Sequence, residues 1–239
     1  MNFSFEINPP SFHDDAREPR TFIRAHTALA SPPLLPEITL YLATEMTPLW
    51  WATESWLQAK GIEPPFWAFA WAGGQAIARF LLDEPQHVRG RRVLDLAAGS
   101  GLCGIAAARS GAAHVIALDC DPLAEHAIAL NAEVNGVTIQ THAEDIITPH
   151  ALPAWAAECD MVLAGDVCYD AAMTAAFLPW LRARAAAGVR VILGDPGRYY
   201  LPAEGIEPLA RFRVPASDDV EAAKEIYGVV YELKNGVGA

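Results

Sequence analysis

The sequence predicts an α/β fold in which a doubly wound, mostly parallel, seven-stranded sheet ends in an antiparallel C-terminal hairpin. Short apolar segments alternate with helical segments between residues 92 and 194, a pattern typical of parallel strands joined by crossover helices. Gly99, Gly101 and Gly104 follow the first apolar segment, in the spacing of a tight turn that a ligand approaches closely. After Asp195 the last two apolar segments are joined by a polar loop without a long helix, which predicts the hairpin.

Residues 1–60 are predicted to form an N-terminal helical and irregular extension, and residues 61–239 the domain that carries the sheet. Proline and polar residues are frequent over the first 35 positions, as is typical of turns and loops. A short helix is expected over Phe22 to Leu29, and a second helix is expected to begin near Pro36.

The strands of the sheet domain are predicted from short apolar segments that lie between turn residues. These strands are Arg92 to Leu96, His114 to Asp119, Thr138 to His142, Met161 to Gly165, Val189 to Gly194, Phe212 to Val214 and Ile226 to Leu233. The intervening helices are Gly101 to Ser110, Pro122 to Asn135 and Ala171 to Ala187. Ligands of such a sheet bind beyond the carboxyl ends of its strands.

Size and charge limit the classes of function. A chain of 239 residues with 52% hydrophobic content suits one large domain with a complete core. Lys and Arg number 17 against 29 Asp and Glu, which gives a net charge of −12, so no nucleic-acid partner is expected because phosphates would meet an acidic field. The longest apolar-rich stretch, from Phe66 to Leu82, contains Gly73, Gln75 and Arg79. It therefore does not suit a membrane span, and no membrane partner is expected.

The start of the chain and the cysteines indicate a cytoplasmic protein. Residues 1–20 lack the basic end and long apolar stretch of a secretory signal, and their early acidic residues argue against an organellar transit peptide. The four cysteines form no CxxC pair, which suits reduced thiols. The seven histidines lack metal-ligand spacing, so no metal is expected.

Acidic side chains mark the carboxyl ends of four predicted strands. Asp95 lies in the first strand just before the glycine turn, Asp119 ends the second, Glu144 and Asp145 follow the third, and Asp166 ends the fourth. Carboxylates accept hydrogen bonds, so this set suits a ligand with an amino group, ribose hydroxyls and an adenine amine. S-adenosylmethionine carries all three groups and has no pyrophosphate.

Other interpretations of these acids stay open. A dinucleotide site also uses an acid about twenty residues after its first glycine, and Asp119 fits that position. Asp95 favours S-adenosylmethionine, because a carboxylate facing the turn would repel a pyrophosphate and attract an ammonium. Alternatively, Asp95 only caps the turn, Asp145 or Glu144 caps a helix, and Asp166 only holds its neighbours in place.

Six stretches of the chain carry a resemblance to one enzyme family. They are PEITLYLATEMTPLWW (36 to 51), PFWAFAWAGGQAIARFLLDEP (65 to 85), RGRRVLDLAAGSGLCGIAAARSGA (89 to 112), DCDPLAEHAIALNAEVNG (119 to 136), GDVCYD (165 to 170) and GDPGR (194 to 198). On these residues the chain resembles the class I, seven-strand methyltransferases that use S-adenosylmethionine. Within them it resembles the lysine methyltransferases that act on the β subunit of electron transfer flavoprotein, including bacterial relatives. FWAFAWAGGQA, GDVCYD and GDPGR are far more specific than the glycine turn, which the whole superfamily shares.

The resemblance implies a Rossmann-like fold, S-adenosylmethionine as cofactor and a protein substrate. It also implies residue roles: Asp95 on the methionyl ammonium, Asp119 on the ribose, Asp145 near the adenine, and Trp71 packed at the cofactor end of the pocket. The turn at Gly99 and Gly101 would pass the methionyl group. Position 97 is alanine where the superfamily often has its first glycine, so Ala97 is expected to require an ordinary negative φ within the cofactor loop.

Asp166 and Tyr169 are the catalytic candidates, because the resemblance places their acid-x-x-aromatic motif beside the transferred methyl. A protonated lysine cannot attack, and an exposed lysine has a pKa of about 10.4, so the site must bind the neutral amine, remove a proton or depress that pKa. We expect Asp166 to orient the incoming ammonium and accept or relay its proton, and Tyr169 to shape the methyl channel.

A methyltransferase for the electron transfer flavoprotein β subunit is thus the leading hypothesis. The alternatives are methylation of a small, nicotinamide-like amine, an NAD-dependent oxidoreductase, and a cofactor sensor without turnover. An aromatic cluster also invites interpretation as a recognition surface, although most such clusters are core; its members are Trp50, Trp51, Trp56, Phe66, Trp67, Phe69 and Trp71. Because Trp50 and Trp51 are adjacent, at least one is a candidate for a lid or docking face. The acidic net charge would help to attract a lysine-bearing loop.

Overall fold

A seven-stranded sheet forms the centre of the computed structural model, which describes residues 18–52, 57, 64–147, 152–215 and 226–234. The strand order is β5-β4-β3-β6-β7-β9-β8. These strands are β3 (Arg92–Leu96), β4 (His114–Asp119), β5 (Gln140–Ala143), β6 (Met161–Gly165), β7 (Arg190–Asp195), β8 (Ile206–Val214) and β9 (Ile226–Leu233). Strands β3 to β7 pair in parallel, and β9 pairs antiparallel with both β7 and β8.

Helices cover both faces of this sheet. The helices are α1 (Pro19–His26), α2 (Ala72–Asp83), α3 (Leu102–Arg109), α4 (Pro122–Val134), α5 (Ala154–Ala157) and α6 (Ala171–Ala186). Successive residues of a strand point to opposite faces, so Val93 packs in the core with α2 and α3 while Leu94 packs in the core with α6. The sheet is therefore doubly wound, as the sequence predicts.

The predicted strands and helices of the sheet domain are confirmed with small changes at their ends. Strands β3, β4, β6 and β9 have the predicted bounds. Helix α3 begins at Leu102 because Gly101 before it has a left-handed φ of 76°. The strand predicted over Phe212 to Val214 is the end of the longer β8. The first residues of β8 do not alternate regularly between more and less buried positions.

The N-terminal extension differs from its prediction. The helix expected over Phe22 to Leu29 is α1, which ends at His26 and leaves Leu29 in strand β1 (Ala28–Ala30). The helix expected near Pro36 is wrong, because this segment leads into strand β2 (Leu40–Leu42), which pairs antiparallel with β1.

Long-range contacts explain strand β2. The Asn131 side chain on α4 accepts a hydrogen bond from the Tyr41 backbone N–H at 2.7 Å, and the Asn135 side chain accepts one from the Thr39 N–H at 3.1 Å. Leu40 and Leu42 are buried in a core shared with α2 and α3. Tertiary packing and amide side chains therefore fix the strand where local sequence did not indicate it.

Within the described ranges, the helices are all too short or too polar to cross a membrane.

Candidate active site

The turn after β3 follows a left-handed path at three positions. Ala97 has a φ of 52°, Gly99 of 52° and Gly101 of 76°. The expectation that Ala97 requires an ordinary φ is therefore wrong. A hydrogen bond from the Ala98 N–H to the Leu118 carbonyl, at 2.9 Å, fixes the backbone next to it. Surrounding contacts of this kind hold a non-glycine residue in a conformation that costs about 1–3 kcal/mol, and such residues cluster at functional sites.

Gly101 is required by packing as well as by its φ. A Cβ at this position would lie 2.9 Å from the Ile128 Cγ2 on α4, which is closer than carbon atoms normally approach. The glycine therefore lets the turn pack closely against α4.

Asp95 is buried beneath the turn, with 1% of its surface exposed. Its Oδ2 accepts a hydrogen bond from the Gly104 N–H at 2.7 Å. Burial raises the pKa of Asp95 to about 8, with a further increase from the charge of Asp119, while the Gly104 amide opposes the shift. This is the capping geometry that the sequence left open, and the contact of Asp95 with an ammonium stays a prediction.

Asp119 supports the other side of the turn from the end of β4. Its Oδ2 accepts from the Gly99 N–H at 2.8 Å, and its Oδ1 accepts from the Asp121 N–H at 3.1 Å. Among the described residues, neither Asp95 nor Asp119 forms an ion pair with a basic side chain. Two neighbouring carboxylates without a cation suit a ligand that carries an ammonium and hydroxyl donors, so these residues fit S-adenosylmethionine.

Asn131 is a positioning residue that the sequence analysis missed. This fully buried side chain donates to the Ser100 carbonyl of the glycine turn at 2.8 Å, while its oxygen holds strand β2. The amide in the middle of the apolar helix α4 was the available signal, because a buried amide needs partners.

Asp145 lies near the end of β5, on the exposed surface. Its Oδ1 accepts from the Ile147 N–H at 2.8 Å in a local turn. The neighbouring Glu144 pairs with His142, with 3.3 Å between Oε1 and Nδ1. Asp145 thus lies two residues beyond Ala143, the residue of β5 that pairs with Asp119, and its adenine contact stays a prediction.

Asp166, at the end of β6, is buried and has a left-handed φ of 59°. Its Oδ1 accepts from Nη1 of Arg198 at 2.6 Å, and its Oδ2 accepts from the Gly74 N–H at 2.8 Å. Burial raises the pKa of Asp166, and the Arg198 charge and the backbone amides oppose that rise. Both carboxylate oxygens are therefore fixed in place by the fold.

Arg198 belongs to a rigid turn after β7, which the sequence analysis quoted without assigning roles to its residues. The Asp195 Oδ1 accepts from the N–H groups of Gly197 and Arg198, both at 2.7 Å. Its Oδ2 lies 3.2 Å from Nη1 of Arg198. One guanidinium nitrogen thus joins the carboxylates at the ends of β6 and β7. The Asp-Pro-Gly-Arg sequence at the carboxyl end of a parallel strand was the signal for this role.

The first turn of α2 reaches Asp166 because two glycine backbones touch. A Cβ on Gly73 would lie 2.2 Å from the Gly194 carbonyl oxygen of β7. Any side chain at position 73 would push the helix away from the sheet. The contact delivers the amides of α2 to the Asp166 carboxylate.

The aromatic cluster splits between core and surface. Trp67 is buried, whereas Trp50 and Trp51 are both exposed, and Trp56 lies outside the described residues. Trp71 is exposed, and its Nε1 donates to the Phe66 carbonyl at 3.1 Å.

Phe66 links Trp71 to the predicted site residues. The Phe66 carbonyl oxygen lies 3.8 Å from where a Cβ of Gly99 would be. The Phe66 ring lies 5.8 Å, centroid to centroid, from that of Tyr169. Trp71 and Tyr169 thus both contact Phe66, which lies next to the glycine turn. Their roles at the cofactor and at the methyl channel stay predictions.

Comparisons with known proteins identify similar sequences and structures. The family model described as ribosomal protein L11 methyltransferase (PrmA) matches residues 79–168. An electron transfer flavoprotein beta subunit lysine methyltransferase from Xenopus laevis is 40% identical over 210 residues, which cover 85% of this chain and 82% of that protein. The Homo sapiens protein of the same name is 38% identical over 184 residues, or 76% of this chain and 67% of that protein. The crystal structure of SMU.776 complexed with SAH shares the fold, with a TM-score of 0.50 and 10% identity over 82% of this chain and 53% of that chain.

Proposed function

Because the chain belongs to the electron transfer flavoprotein beta subunit lysine methyltransferase family, we propose that it methylates lysine side chains of that subunit with S-adenosylmethionine. The observation that carries this proposal is the pair formed by Asp95 and Asp119. They support the glycine turn without a basic partner among the described residues, beside the Arg198-bound carboxylate of Asp166.

The cofactor half of the site is built from acceptors. In this proposal Asp95 binds the methionyl ammonium, Asp119 the ribose hydroxyls and Asp145 the adenine amine, while Trp71 packs at the methionyl end. Ala97, Gly99 and Gly101 shape the loop that passes the ligand; their left-handed backbone supports this assignment. A diphosphate is disfavoured here, because Asp119, and Asp95 when it is ionised, would repel it.

S-adenosylmethionine, when bound, supplies a methyl group on a positively charged sulfur. The chain must present a neutral amine in line with that methyl, and much of the rate comes from positioning the two groups. Asp166 orients the lysine ammonium and takes up or relays its proton, for which a raised pKa is favourable. Tyr169 borders the lysine channel, where its ring contacts Phe66.

A cytoplasmic location completes the proposal. The four cysteines are all free, which is typical of proteins in reducing compartments.

The test is transfer of a labelled methyl group from S-adenosylmethionine to purified electron transfer flavoprotein β subunit, followed by mass mapping of the peptide. We expect label on lysine, and we expect Asp166→Asn to lower kcat by about 10²-fold or more. Tyr169→Ala, which removes the ring that borders the channel, is expected to lower kcat as well. Label found only in small molecules of a cell extract would instead support the small-amine alternative. Binding of NAD without S-adenosylhomocysteine would overturn the methyltransferase assignment.

A further inference from the structure

Five aromatic side chains form a continuous line across the surface beside Asp166. The centroid distances are 6.0 Å from Trp50 to Phe69, 5.7 Å from Phe69 to Trp71, 6.1 Å from Trp71 to Phe66 and 5.8 Å from Phe66 to Tyr169. Four of these side chains are between 38% and 49% exposed: Trp50, Phe66, Trp71 and Tyr169. We call the five side chains the aromatic ribbon.

The fold holds the aromatic ribbon in place from below. Trp50 follows the buried Leu49 within the 3-10 turn Pro48–Trp51, and Phe66 precedes the buried Trp67 within the 3-10 turn Phe66–Ala68. Both buried neighbours belong to one core cluster with α1 and α4. The backbone that carries Trp50 and Phe66 is thus held by the core before any partner arrives, which lowers the entropy lost on binding.

Acidic residues lie beside the end of the aromatic ribbon that is nearest the site. Tyr169 is followed by Asp170. Burial raises the Tyr169 pKa, and the nearby charges of Asp170 and Asp119 raise it further. Asp121 and Asp145 lie close enough to Cys120, next to Asp119, to act on that thiol. An ammonium that approaches along the rings meets negative charge at the end of its path.

We propose that the aromatic ribbon is the docking surface for the lysine-bearing segment of the protein substrate. The proposal rests on the proposed function and adds where the substrate is held. The ring faces bind the apolar stems and cations of a basic segment, and the acids at the Tyr169 end receive the target lysine. Exposed aromatic residues often dominate the binding energy of protein interfaces. A small amine would use only the rings next to Asp166 and would leave Trp50 without a role.

The test compares steady-state kinetics of full-length variants on the electron transfer flavoprotein β subunit. Trp50→Ala changes the far end of the aromatic ribbon, which has no assigned contact with the cofactor. We expect Trp50→Ala and Phe66→Ala each to raise the KM for the protein substrate about tenfold. For Trp50→Ala we expect no change in kcat or in the Kd for S-adenosylhomocysteine. Trp50→Phe keeps a ring and is expected to retain the parental KM.

Val134→Ala is the matched control. Val134 is 40% exposed and is the last residue of α4. It therefore lies toward the amino ends of the parallel strands, away from the site at their carboxyl ends. The Val134→Ala variant is expected to keep the parental KM. The docking proposal is overturned if the parental enzyme methylates the subunit and both alanine variants keep the parental KM. If the parental enzyme binds S-adenosylhomocysteine but does not methylate the subunit, the proposed function fails and the docking proposal fails with it. Thermal melting of each variant separates a loss of docking from a loss of folding.

Discussion

The two halves of the sheet's carboxyl edge hold their carboxylates in opposite ways. On the β3 and β4 side, Asp95 and Asp119 accept backbone N–H groups of the glycine turn and, in the described part of the chain, pair with no basic side chain. On the β6 and β7 side, Asp166 and Asp195 share the guanidinium of Arg198.

This difference separates two uses of buried charge. The charge of the Arg198 half is partly neutralised before a ligand arrives, because one guanidinium pairs with two carboxylates. Its side chains are therefore held in place and can orient what binds beside them. On the Asp95 side, no basic side chain of the described residues pairs with Asp95 or Asp119. A positively charged ligand can therefore supply the missing partner. On the Arg198 side, loss of the guanidinium would leave buried carboxylates unpaired, whereas the Asp95 side already holds an unpaired buried carboxyl group at a cost in stability.

The largest effect is expected from a substitution that disrupts the β6 and β7 side of the site. Gly73→Ala places a methyl group 2.2 Å from a backbone oxygen that cannot rotate away. We expect a loss of about 3 kcal/mol or more in the free energy of unfolding and loss of methyl transfer, measured by chemical denaturation and the radiolabel assay.

Gly74→Ala is its control, because a Cβ there meets the Cys103 Sγ at 3.8 Å, an ordinary contact. Alanine is also the better helix former, by about 1 kcal/mol. Equal losses of stability in the two variants would contradict the backbone-contact explanation.

The next effect removes the shared cation. Arg198→Met leaves the buried carboxylates of Asp166 and Asp195 without their partner. We expect the free energy of unfolding to fall by about 2–3 kcal/mol, somewhat below the range for fully buried pairs because Arg198 is partly exposed. Methyl transfer should fall as well, and its pH profile should move to higher pH, since Arg198 opposes the rise in the Asp166 pKa.

Arg198→Lys should restore only part of the activity, because an ammonium lacks the planar guanidinium that the site is built around. Arg190→Met, which breaks the Glu232 pair at the other end of β7, is the control. It should lower stability without moving the pH profile, and a shift there would argue against a local role for Arg198.

The third effect concerns the β3 and β4 side of the site, where Asp95 is predicted to bind the ligand. Asp95→Asn removes the carboxyl group that would ionise beside a bound ammonium, but it keeps an oxygen that can accept from the Gly104 N–H. We expect S-adenosylhomocysteine to bind about 30-fold more weakly, as for loss of one charged hydrogen bond of about 2 kcal/mol, while the melting temperature holds or rises. Calorimetry measures the first and thermal unfolding the second. Asp160→Asn, an exposed acid just before β6, should leave binding unchanged, and unchanged binding in Asp95→Asn would remove Asp95 from the site.

The smallest effect concerns pH and stability without ligand. The pKa of Asp95 rises from an ordinary value near 3.8 to about 8 on folding. Between these values the unfolded chain loses its proton while the folded chain keeps it, so Asp95 destabilises the fold progressively as pH rises, and the effect levels off above pH 8. The stability gain of Asp95→Asn over the parental chain should therefore be larger at pH 8 than at pH 5. Denaturant titration at both values measures it, and a gain that shrinks toward pH 8 would contradict the buried, protonated state of Asp95.

The sequence predicted most of the sheet because its strands are short apolar segments between turn residues. Strand β3 has the predicted bounds for that reason. Strand β2 was missed because its partners lie far away in sequence: Asn131 and Asn135 supply acceptors for its backbone. No local pattern encodes such contacts.

The site was likewise predictable in part. Asp95, Asp119 and Asp166 follow from the rule that strand ends converge at one edge. Arg198 was missed because its role depends on a neighbour 32 residues away in sequence. The prediction of a negative φ for Ala97 was wrong because alanine alone favours negative φ, and only the surrounding hydrogen bonds reverse that preference.

The double contact of Asn131 has one more consequence. A single amide group holds both the edge of β2 and the Ser100 carbonyl, so detachment of the N-terminal strands would loosen the loop on which the ligand depends. By thermodynamic linkage, a bound ligand that steadies this loop makes that detachment rarer. Proteolytic cleavage between residues 27 and 43, around strands β1 and β2, should slow when S-adenosylhomocysteine is added, so these strands would report whether the ligand is bound.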